Sequence, residues 1–196
     1  ARVRRYSWVF FLVVIVVLVV VTVGYFWQDR QSRITSAKAS ELSSAIALAE
    51  TDPAAAKEQL AALAADPSNG NSVLAGFESA ELSLREGDEA GAVAALEALA
   101  SVREGDAYAK AATIFSVYTA INSGDAATLL GKLDPLIGED GVFTELALEL
   151  KAQVLARDGK GAEALAVLET LLEREGLERD LQTRAETLRD SLGSGS

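Results

Sequence analysis

GDEAGAVAALEALA, residues 87–100, and GKGAEALAVLETLL, residues 159–172, read as one element written twice. Each opens on a glycine turn and continues as an Ala- and Leu-rich run, which is helix-forming composition. Turn signals recur at Thr51-Asp52-Pro53 and Gly124-Asp125, so Thr51, Gly87, Gly124 and Gly159 are spaced by 36, 37 and 35 residues. Nine residues beyond each marker stand Leu60, Leu96, Leu133 and Leu168, and twelve beyond stand Leu63, Leu99, Leu136 and Leu171. Five beyond stand Ala56, Ala92 and Ala164, with Leu129 in place of the small residue in the third unit. Offsets of five, nine and twelve share one face of a helix. A small residue there admits a partner helix closely, and the leucines fill the space below it.

Outward from these turns the pattern stays helical. The 169 residues after position 27 have no period-two alternation bounded by turn residues, so no sheet is expected. A period near 36 built from helix, turn and helix predicts an all-α array of stacked helix pairs. The expected units are 28–70, 71–106, 107–141 and 142–177, about four helix pairs in all, followed by a C-terminal capping helix over 178–192 and a flexible tail over 193–196. Within the cap, Leu181 and Leu188 continue an apolar stripe, with Leu192 a looser extension, while Glu173 to Asp180 mix both charge signs on a face suited to solvent or to a basic partner. Asp134-Pro135 predicts a kinked or shortened second helix in the third unit, because proline lacks an N–H and crowds the preceding turn.

The N-terminus departs from this pattern. Residues 8–27 form an uncharged run of twenty, about 30 Å as a helix, which matches the hydrocarbon core of a bilayer. Trp8 stands at one end, and Tyr25 and Trp27 at the other, as interfacial anchors. A cleaved signal peptide has a shorter core and small residues at its end, whereas this run ends Val23-Gly24-Tyr25-Phe26-Trp27. No ionisable residue marks an intramembrane site, and Gly24 alone makes no small-residue dimer face. The expectation is a plain single-span anchor into the lipid bilayer. Arg2, Arg4 and Arg5 precede it, which places residues 1–7 in the cytoplasm and the remaining domain across the membrane, in the periplasm of a bacterial inner membrane. Residues 28–50 hold neither Pro nor Gly, so the span is expected to continue into the first helix pair without a flexible linker. A chain without Met, initiator included, is expected to be processed or part of a longer product.

Composition excludes several functions. With 18 basic and 29 acidic residues the net charge is −11, and no basic stripe exists to displace counterions from a nucleic acid. The absence of Cys and His removes thiolate metal sites, disulfides and the commonest general base and metal ligand. Glu139 and Asp140 lie in a glycine-flanked loop, and with Asp134 they do not give the close oxygen spacing of a calcium loop. The glycines form no phosphate loop. No catalytic residue, cofactor or metal is expected, and the chain reads as non-enzymatic.

The segments Gly87-Asp88-Glu89-Ala90-Gly91-Ala92-Val93 and Gly159-Lys160-Gly161-Ala162-Glu163-Ala164-Leu165 resemble the turn and second-helix start of tetratricopeptide repeats, and Asp66-Pro67 resembles their inter-repeat punctuation. The resemblance implies a right-handed α-solenoid whose inner wall is formed by the first helix of each pair. By that analogy Phe77, Glu81, Tyr118, Asn122, Glu149, Gln153 and Arg157 are candidates for a partner-binding groove. Five of the seven have a plainer reading: Phe77 and Tyr118 as core, and Glu81, Glu149 and Arg157 as solvated charges. Arg4-Arg5-Tyr6-Ser7-Trp8, the apolar run and Trp27-Gln28-Asp29-Arg30 together resemble the YfgM-like family of bacterial inner-membrane proteins. That resemblance implies an ancillary role at the Sec translocon, beside a membrane-anchored periplasmic chaperone or prolyl isomerase. The alternative is an accessory structural subunit of another inner-membrane complex, respiratory or envelope-building.

Overall fold

The structure is a computed structural model that describes residues 40–138 and 142–193. The expected span over 8–27 with Trp8, Tyr25 and Trp27, its continuation over 28–39 and the loop carboxylates Glu139 and Asp140 lie outside the described residues. Among the described residues no helix is long and apolar enough to cross a membrane. Chain contacts separate residues 1–44 from 45–196. Of the first unit only 40–44 are described, as the start of a helix, α1, seen over 40–48.

In the second unit every regular element described is an α-helix: α2 (Pro53–Ala64), α3 (Ser72–Arg85), α4 (Glu89–Val102), α5 (Ala107–Thr119), α6 (Ala126–Ile137), α7 (Val142–Arg157), α8 (Gly161–Leu172) and α9 (Arg179–Gly193). Helices adjacent in sequence are adjacent in space, and α5, α7 and α9 also touch in series. This is the contact pattern of a tetratricopeptide-like solenoid.

The turns have specific causes. Gly87 and Gly159 take φ of 76° and 77°, a left-handed conformation that costs glycine nothing. Each closes its helix the same way, with Asp88 N–H donating to Ser83 O and Lys160 N–H donating to Leu155 O, both at 2.9 Å. The following helices start on a capping carboxylate: Asp52 accepts from Ala55 N–H, Asp88 from Gly91 N–H and Asp125 from Thr128 N–H. At the fourth turn Lys160 stands in that position and makes no side-chain cap.

The register read from the sequence is the core. Leu60, Leu96, Leu133 and Leu168 are buried, as are Leu99, Leu136 and Leu171, while Leu63 is half-buried. Ala56, Ala92 and Ala164 are fully buried at the close approach of their pairs. Polar ties span one repeat: Ser123 to Glu89, Lys132 to Glu97, Arg157 to Gly124 O and Arg184 to Glu149 join residues 33 to 35 apart.

The third pair differs from the others. The expected shortening at Asp134-Pro135 does not occur: α6 has 12 residues, as many as α2 and α8, and carries Pro135 in its last turn. There the missing N–H frees only the carbonyl of exposed Gly131, which water can satisfy. Instead, α5 and α6 meet over much less of their length than α3 and α4 or α7 and α8 do. Leu129, 1% exposed, fills the position where the other pairs have alanine. Its added volume is the expected cause of the looser contact, which truncation of Leu129 tests.

Candidate partner-binding site

Asp106 starts α5 by accepting the N–H groups of Tyr108 and Ala109 at 2.8 and 2.9 Å. Ala111, Ile114, Phe115 and Tyr118 then recur at helical spacing and line one face. On α7, Phe143, Leu146, Glu149, Leu150 and Gln153 repeat the same spacing. The two faces and Arg184 of α9 enclose a groove of about 600 Å³, a size that accommodates a small ligand or several side chains. Ile114 and Leu150 are buried and belong to the core cluster with Val117, Leu133 and Val154. Phe115 and Tyr118 remain 53% and 64% exposed.

The aromatic wall extends to α3. Phe77 meets Phe115 edge to face, with centroids 5.7 Å apart and planes at 79°, a favoured aromatic geometry. Phe77 is half-buried and packs against the core cluster of Ala80, Ala92, Leu96, Leu99 and Ala112, whereas Tyr118 is exposed.

One charged pair sits in the groove. Glu149 is 5% exposed, and Arg184 donates to it through Nε at 2.6 Å and Nη2 at 2.9 Å. Gln153 Nε2 lies 3.4 Å from the same carboxylate. The hydrogen-bonded Glu149 holds the Arg184 guanidinium above its ordinary pKa, against the opposing effect of partial burial. A carboxylate this buried is stable only with such a partner. Glu149 is therefore not a solvated charge.

The structure thus brings Tyr118, Glu149 and Gln153 together, with Phe77 behind them. It separates the other three candidates from the groove lining. Glu81 is exposed on α3, and Asn122 is exposed in the turn after α5. Arg157 donates to Ile121 O and Gly124 O, so it braces the α5–α6 turn. Phe115, Phe143, Leu146 and Arg184 were not singled out by sequence. The three apolar residues follow from helical spacing once α5 and α7 are known to face each other. Arg184 carries no local signal, since its partner is 35 residues away.

No group of three or more metal-ligating side chains occurs among the described residues. The surface offers apolar contact and hydrogen bonding. The family model described as a tetratricopeptide repeat-like domain matches residues 4–186. Searches of curated proteins and of solved structures found no match.

Proposed function

The chain belongs to the tetratricopeptide repeat-like domain family, whose members commonly mediate protein–protein interaction, and from that premise we propose that it is a membrane-anchored periplasmic scaffold of the Sec translocon. In this reading it is a YfgM-like ancillary subunit, held in the inner membrane by residues 8–27, that links the export channel to a periplasmic chaperone or prolyl isomerase. The observation that carries the scaffold role is the exposed aromatic groove between α5 and α7, which offers a partner apolar area and hydrogen bonds. Two sequence features support the membrane assignment. The twenty-residue uncharged run has arginines on its N-terminal side, and the family match begins at residue 4, ahead of that run.

The test is a photo-crosslinking residue at Tyr118 in cells, followed by mild-detergent purification and mass spectrometry. The expected products are adducts with export-channel subunits and a periplasmic isomerase. Stoichiometric recovery with a respiratory or envelope-building complex would establish the accessory-subunit alternative instead. Protease added to spheroplasts should digest the helical domain and leave residues 1–7 protected.

A further inference from the structure

We propose that the α5–α7–α9 groove receives an amphipathic segment of a partner protein that carries lysine or arginine beside large apolar side chains. The inference rests on the scaffold reading and specifies the partner's chemistry. The apolar half follows from the lining. Phe115 and Tyr118 are more than half exposed, and Phe143 and Leu146 face them across about 600 Å³. Aromatic side chains standing in water beside buried Ile114 and Leu150 gain most from a partner that removes that water.

The basic half follows from charge. Glu149 and Arg184 are the charged residues of the lining, and each satisfies the other, so the groove itself has no net charge. Its surroundings are not neutral. Glu178 and Asp180 lie within electrostatic reach of Arg184, and Glu81 stands exposed one turn beyond Phe77. Glu81, Glu178 and Asp180 thus supply negative charge beside the groove, in a chain that carries 29 acidic and 15 basic residues beyond residue 27. An acidic segment is repelled before its apolar side chains reach the slot, and a neutral one gains no steering. A basic amphipathic segment obtains both long-range attraction and apolar burial.

The test uses the full chain in nanodiscs of zwitterionic lipid, with empty nanodiscs as the blank, and three dye-labelled peptides of about sixteen residues. The first places Leu and Phe on one helical face and Lys on the other. The second replaces each Lys by Glu, and the third replaces each Leu and Phe by Ser. The first peptide should bind at least about tenfold more tightly than the other two, and its affinity should fall as salt rises from about 0.05 to 0.3 M. The Phe115→Ser/Tyr118→Ser double variant, which changes exposed side chains and no charge, should weaken that binding about tenfold in a chain that still unfolds cooperatively, with a melting temperature lower by no more than about 5 °C from the lost Phe77–Phe115 contact. Equal binding of the Lys and Glu peptides overturns the proposal, as does undiminished binding to the double variant. Crosslinks from Tyr118 to partners in cells would leave the scaffold reading standing in either case.

Discussion

The second and third helix pairs share one sequence register and pack differently. In α3–α4, Ala92 lies at the point of closest approach, and Gly76 sits against Leu99 so tightly that an added Cβ would stand 2.9 Å from a Leu99 methyl. The depression beside them, lined by small residues of α2, α3 and α4, encloses only about 110 Å³. In α5–α6, Leu129 takes the place of Ala92, the helices part, and α5 presents Phe115 and Tyr118 to the groove it shares with α7. At the interface position the closed pair carries alanine and the open one leucine. The pairs also differ in length and turn: α3 and α4 have 14 residues each and join through the left-handed Gly87, whereas α5 and α6 have 13 and 12 and join over the longer turn 120–125.

The strongest way to break this comparison is to truncate a leucine in each pair. Leu99→Ala should cost about 3–5 kcal/mol, the upper part of the range for buried leucine, because Gly76 offers no side chain to fill the void. Leu129→Ala should cost only about 2 kcal/mol, since α6 can settle onto α5 and close the cavity. Urea unfolding with unchanged m-values measures both. Equal costs would show that Leu129 does not hold α5 and α6 apart. The reciprocal change, Ala92→Leu, should destabilise by about 1–3 kcal/mol through overpacking and raise amide exchange in α3 and α4 towards that of α5 and α6. Unchanged exchange in α3 and α4 would locate the difference between the pairs elsewhere.

Much of this was legible in the sequence because it is local and periodic. The glycine turns at Gly87 and Gly159 and the leucines nine residues beyond each marker need only helical geometry to be read. The shortening expected at Pro135 does not occur because a proline's effect on length depends on its distance from the helix end, and α6 ends two residues later. The departure at Leu129 was visible as a residue, but its consequence depends on how far α6 yields, which is a packing property. The groove was half legible. The resemblance to tetratricopeptide repeats places Tyr118, Glu149 and Gln153 on the inner helices, whereas Arg184 and the brace made by Arg157 depend on contacts one repeat away. Glu149 looked like a surface charge because nothing local shows that α9 brings a guanidinium to it.

The smallest effect tests whether the pairs differ in the core alone. Both second helices start on an aspartate, with Asp88 capping α4 and Asp125 capping α6, and backbone N–H groups hold both carboxyls below the usual aspartate range, at Gly91 and Thr128 respectively. A carboxyl whose folded pKa is depressed contributes its stability above the unfolded value, near 3.9, and loses it as pH falls through the lower folded value. Asp88→Asn and Asp125→Asn should therefore lower the melting temperature at pH 7 by similar amounts, about 1–3 °C, and the deficit should shrink below about pH 4. Lys160→Ser supplies the fourth turn with a cap and, with Glu163 three residues on, a capping box. It should raise the melting temperature by about 2–4 °C, since the exposed pair with Asp158 that it removes is worth little. Because a hydroxyl does not titrate, this gain should persist at low pH where the aspartate caps fail. A much larger loss for Asp125→Asn than for Asp88→Asn would place the difference in the turns and leave Leu129 a bystander.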